Sequence, residues 1–181
     1  MAASIFDGPC GFKPASECTK FKVLKVASNS SAKIYRNAPV MLVGGYAVPY
    51  DENNANVSQV YIAAHQVDAA PGAVTDLIVY DDMNMEFYVL GAGDDYAITM
   101  AGQAVGANTN GTTNAPEDGL NDQSTCVVDI QTTAATPTYV LPFRIVGLAG
   151  LPNNSASEVQ YKTPVLSVKI TDAAAYIDTT E

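Results

Sequence analysis

The sequence predicts an all-β protein, an antiparallel β-sandwich or flattened barrel of jelly-roll or Greek-key type, with an extended N-terminal arm. Three observations predict it. Short apolar, β-branched and aromatic runs recur with turn residues between them roughly every 8–14 positions. No window carries a 3.6-residue apolar period with caps at both ends. Of 181 residues, 48% are hydrophobic and only 15% charged. That excludes a coiled coil, built on Glu, Lys and Leu heptads, and disorder, which needs low hydrophobicity with high net charge. The length suits one domain with an arm.

The elements follow in order. Residues 1–20 hold Gly8-Pro9, Gly11 and Pro14, which break helix and strand alike, and read as the arm. The body runs from 21 to 171. Phe21–Val26 is β-prone, and Ser28-Asn29-Ser30-Ser31 is a turn. Lys33–Arg36 is a short strand ended by Asn37-Ala38-Pro39, and Val40–Val43 a strand stopped by Gly44-Gly45. Tyr46–Val48, then Val57–Ala64 after an Asp/Asn loop, are strands. Pro71-Gly72 marks a turn before strand Leu77–Tyr80. Met85–Leu90 is a strand closed by Gly91-Ala92-Gly93. Thr99 is placed to cap one helical turn over Met100–Val105. Residues 108–124 string together Asn, Gly, Thr, Pro and Asp and read as a long surface loop. Thr125–Gln131 and Val140–Leu148 are strands, the second with Pro142 at an edge or bulge. In the last strand, Thr163–Thr171, the residues Leu166, Val168 and Ile170 share one face and Val165, Ser167 and Lys169 the other. Residues 172–181 form a C-terminal tail.

Nine Lys and Arg against nineteen Asp and Glu give a net charge of −10. Phosphate backbones and anionic bilayers are gripped by basic clusters, so neither nucleic acid nor membrane is an expected partner. No apolar run approaches the length of a bilayer span. The first residues, Met1–Gly8, lack the basic and apolar regions of a signal peptide, so synthesis and folding in a reducing cytoplasm are expected. Three cysteines, Cys10, Cys18 and Cys126, are too few for a disulfide framework and are expected to be free.

Catalytic chemistry finds little to use. Nucleophilic catalysis needs a base, most often His. His65 is the single histidine and reads as a turn residue with an ordinary hydrogen bond. Cys10 and Cys18 lack the spacing and the second ligand pair of a zinc site. The acidic pairs Asp51-Glu52, Asp81-Asp82, Asp94-Asp95 and Glu117-Asp118 read as solvated turns, with a bound divalent cation as the alternative. Gly91-Ala92-Gly93 does not match a phosphate-binding loop. No catalytic, cofactor or metal residues are assigned.

Four segments, in order, resemble the tailed-bacteriophage virion structural proteins of the capsid decoration or cement type. Gly11-Phe12-Lys13-Pro14 is similar to an early GF[RK]P. Ile34–Leu42 is similar to a strand pair carrying GDPV, with Asn37-Ala38 standing in place of Gly-Asp. Tyr80–Phe87 is similar to a hairpin carrying DDP, with Met83 in place of Pro. Leu141–Leu148 followed by Val165–Ile170 is similar to the family's closing strands. The resemblance implies a non-enzymatic protein without cofactors that binds the outside of a phage capsid, its partners the major capsid protein and itself as a trimer or dimer. The arm supplies reach, and Phe6, Phe12 and Pro14 are the expected capsid or subunit contacts. Another virion part, a head-fibre base or tail component, and a carbohydrate-binding β-sandwich module are the alternatives. The second needs aromatic platforms, and the chain has ten Tyr but no Trp.

Overall fold

The structure, a computed structural model, describes residues 11–27, 32–51, 59–93, 100–108, 124, 126–130, 142–150 and 164–171. Among them there is no α-helix. The architecture is all-β, with two main sheets and a small two-stranded sheet.

The first sheet contains β2 (Phe21–Ala27), β8 (Val74–Tyr80), β6 (Val60–Ala63), β4 (Pro39–Val43) and β5 (Tyr46–Pro49), in that spatial order and antiparallel throughout. β4 and β5 are joined by Gly44-Gly45 alone, at φ 59° and 87°. Two consecutive positive φ values make the tight hairpin turn whose twist matches paired strands, and glycine takes them without steric cost. The sheet rolls until its two edges, β2 and β5, lie beside one another. Its inner face encloses Leu24, Val26, Val40, Ala47, Tyr61, Ala63, Leu77 and Val79. A two-stranded antiparallel sheet of β3 (Ala32–Ile34) and β7 (Val67–Ala69) closes this core with Ile34, Val67 and Ala69. The Tyr61 hydroxyl accepts from Lys22 Nζ at 2.9 Å and donates to Gln59 Oε1 at 2.6 Å, so the tyrosine keeps its polar tip satisfied while its ring is buried.

The second sheet has the order β10 (Ala104–Val105), β13 (Phe143–Leu148), β14 (Val165–Ile170), β9 (Glu86–Gly93), β12 (Val127–Ile130), β11 (Ala107–Asn108). β1 (Lys13–Pro14) pairs with the first half of β9. The expected alternation on β14 holds, with Leu166, Val168 and Ile170 facing the core. One pairing departs from the antiparallel expectation: β12 runs parallel to the second half of β9. That half contains Gly91-Ala92-Gly93, where the sequence predicted the strand to stop. The strand continues because the glycine admits Ile130 of β12. A Cβ at Gly91 would overlap Ile130 Cδ1.

The second core lies between the two sheets. Phe87, Val89, Val128, Ile130, Phe143, Ile145, Leu166 and Val168 face Met41, Val60 and Ile62 from the outer side of the rolled sheet. Each strand of the β6–β4 pair therefore has apolar residues on both faces, one for each core.

Three sequence expectations are corrected. The arm does not extend to residue 20: from Gly11 the chain is part of the body, as β1 and as a core residue, Phe12. The proposed helical turn over 100–105 gives way to a turn at Ala101-Gly102 followed by strand β10, because β13 offers it a partner. The short strands β1, β7 and β11 replace segments read as turns or coil. Residues 1–10, the interior of the loop 108–124 and the tail 172–181 lie outside the described residues.

Candidate interaction surface

Of the three contacts expected from the sequence, Phe6 lies outside the described residues. Phe12 is fully buried and belongs to the inter-sheet core, stacked on Phe143 and unable to reach another molecule. Its assignment as a surface contact is therefore corrected. Pro14 is half-buried in β1 opposite Phe87, with its backbone committed to the sheet. The fastening of this segment is local. The Phe12 N–H donates to Asn37 O at 2.9 Å, and the Asn37 N–H donates to Ala63 O at 2.8 Å. Asn37 is buried at φ 64°, a left-handed conformation that Asn adopts more readily than other side-chain-bearing residues. Asn37 thus supplies a backbone geometry that otherwise favours Gly.

The candidate reactive groups serve turns and packing. His65 Nδ1 accepts from the Ile78 N–H at 3.3 Å. Asp82 Oδ1 accepts from the Asn84 N–H at 3.0 Å, which holds the turn between β8 and β9. Cys18 and Cys126 are free thiols. Cys18 Sγ donates to Lys20 O at 3.1 Å, while burial pushes the Cys126 thiol up to about 12. Asp51 is exposed, and Glu52, Asp94, Asp95, Glu117 and Asp118 lie outside the described residues. Among the described residues no group of three or more His, Cys, Asp or Glu is placed to hold a metal ion.

Elsewhere the surface shows two kinds of patch. On the outer side of the second sheet, Glu86 takes the Ser167 hydroxyl at 2.7 Å and Lys169 Nζ at 3.4 Å, a polar arrangement across β9 and β14. On the outer side of the rolled sheet, β2 and β8 present Phe21, Val23, Val74 and Ile78 to solvent. Sequence reading missed this second surface. Phe21–Val26 is apolar at positions on both faces, so periodicity alone does not reveal which face is covered.

Comparison with family models, with curated proteins and with solved structures finds no match to this chain.

Proposed function

We propose that the chain is a structural protein of a tailed-bacteriophage virion that binds the outer surface of the capsid shell and stabilises it. Its partners are the major capsid protein and further copies of itself, and it carries out no catalytic step. One observation carries the reading: the four segments of the resemblance touch one another. Phe12 of the first stacks on Phe143 of the fourth. The same residue's N–H bonds Asn37 of the second. Pro14 pairs with Phe87 of the third, and Phe87 pairs with Val168 of the fourth. The four segments thus contribute to one core, as parts of a shared structural unit would. An all-β body with two cores and a net charge of −10 also suits a protein laid in many copies on a shell, where rigidity and solubility are needed. Phe6 remains the proposed shell contact of the segment before Gly11.

The test is the composition of gradient-purified virions. The chain should remain with intact particles at a fixed ratio to the coat protein, and capsids lacking it should break at lower temperature. Finding it only with isolated tails would favour a tail component instead, and finding it in neither fraction would remove the virion reading.

A further inference from the structure

The rolled sheet is only partly covered on its outer side. Val60 and Ile62 of β6 and Met41 of β4 lie under the second sheet. Tyr80, at the end of β8, sits at the border, its ring 5.9 Å from Phe87 on one side and 5.6 Å from Phe21 on the other. Beyond it the same face runs out into solvent. Register pairs Phe21 with Tyr80 and Val23 with Ile78, so these side chains stand together on one face. Phe21 is 52% exposed, Val23 57%, Ile78 41% and Val74 58%. The opposite face of the same two strands, Leu24, Val26, Leu77 and Val79, is buried. The pair is thus built like a strand pair with two cores, but among the described residues only one of its faces is covered.

Charge distinguishes what covers the other face. Residues 20–82, which form the rolled sheet and the small β3–β7 sheet, carry five Lys and Arg and six Asp and Glu, a net of −1. Residues 83–181 carry three and eleven, a net of −8. Two copies of an acidic chain repel each other, and they do so least where the nearly neutral lobes meet. At one end of the ladder Lys25 pairs with Asp76, both more than half exposed, so the face carries both signs and can complement itself.

We propose that a second copy of this chain covers the ladder, the two β2–β8 ribbons packing face to face about a two-fold axis. A two-fold places the same patch on both sides, so Phe21, Val23 and Ile78 of each copy meet their equivalents, and Lys25 and Asp76 exchange partners at the rim. The patch exposes on the order of 300–400 Å² of apolar surface, about half of the ~800 Å² that each partner brings to a standard interface. The dimer of the free chain is therefore weak, with a dissociation constant of about 10–100 µM. This inference concerns the free chain and does not depend on the capsid reading.

Sedimentation equilibrium of the full chain, from about 1 µM to about 1 mM, tests it. The expected result is a reversible monomer–dimer equilibrium that tightens as salt screens the net charge. The double variant Val23→Lys, Ile78→Lys should weaken dimerisation at least about tenfold, and the near-isosteric Val23→Thr about threefold. Val146→Lys, exposed on the outer side of the second sheet, should leave it unchanged. Far-UV circular dichroism and thermal midpoints establish that each variant is folded, and Val23→Thr decides the matter if the double variant is not. A monomer throughout the range, a trimer, or a dimer that Val23→Thr leaves as tight as before would overturn the proposal.

Discussion

Phe12 stacks on Phe143, ring centroids 4.4 Å apart and planes inclined by 28°, and the Tyr50 ring meets Phe143 edge-to-face, centroids 6.0 Å apart and planes inclined by 63°. This aromatic group joins the segment before β2 to the strand that leads into β14. Phe12→Ala should destabilise the fold by about 3–5 kcal/mol, the usual cost of emptying a buried phenylalanine site. Since whole domains are stable by only about 5–15 kcal/mol, the urea midpoint should drop steeply. A chain starting at residue 21 loses the same ring together with β1, so residues 1–20 are not a dispensable arm. An unchanged midpoint for Phe12→Ala would contradict the packing.

Gly91 should not tolerate a side chain while Ile130 keeps its terminal methyl. Gly91→Ala should cost about 1–3 kcal/mol through overpacking. Ile130→Val, which removes the Cδ1 methyl that a new Cβ would overlap, should cost about 0.5–1.5 kcal/mol alone. Combined, the two should cost less than their sum, because each relieves the other. Strict additivity in denaturant unfolding would show that the close approach has no energetic weight.

Asn37 offers a backbone test. Asn37→Ala places a side chain without local hydrogen-bonding capacity at φ 64° and should cost about 1–2 kcal/mol or more. Asn37→Gly meets no such penalty and should be the milder of the two in thermal unfolding. The reverse order would mean that the left-handed backbone at this turn imposes no strain on a side-chain-bearing residue.

Alkaline pH should weaken the fold. Burial raises the Cys126 thiol from an ordinary 9.0 to about 12, the Ser124 hydrogen bond opposing the shift, and burial also raises the Tyr80 hydroxyl above 10.0. The folded chain therefore holds these protons to higher pH than the unfolded chain does. Stability is complete below about pH 9 and falls as the unfolded chain ionises on the way to pH 12. Urea midpoints measured from neutral pH upward should show this decline. Cys126→Ala, though less stable at pH 7, should lose less over the alkaline part. A decline of the same size in both proteins would assign it to other groups.

The fold class was legible because several strands are long enough to carry a period. Leu166, Val168 and Ile170 alternate with Val165, Ser167 and Lys169, and this alternation is what the folded strand shows. β1, β7, β10 and β11 have two or three residues each, too few for any period, and exist only because a neighbouring strand presents an edge. The place of Phe12 was hidden for a related reason. It sits between Gly11 and Lys13-Pro14, where turn chemistry dominates, and its burial depends on Phe143, distant in sequence. The exposed ladder of Phe21, Val23 and Ile78 was hidden because an apolar strand face reads the same whether its cover comes from the same chain or from outside it.

The order of strands in the second sheet also governs when the protein can fold during synthesis. β14 lies between β13 and β9, and it is the last of the described strands to leave the ribosome. Until residues 165–170 emerge, β13 and β9 each hold an open hydrogen-bonding edge, and the inter-sheet core lacks Leu166, Val168 and Ile170. The rolled sheet, complete by Tyr80, has no such dependence and can form first. A nascent chain therefore carries an amino-terminal sheet whose strands are all present to pair, and a carboxy-terminal sheet that is still open. A chain stopped short of residue 165 would expose adhesive strand edges to its neighbours on the same polysome, which makes the final six-residue strand the step that separates a soluble product from an aggregate.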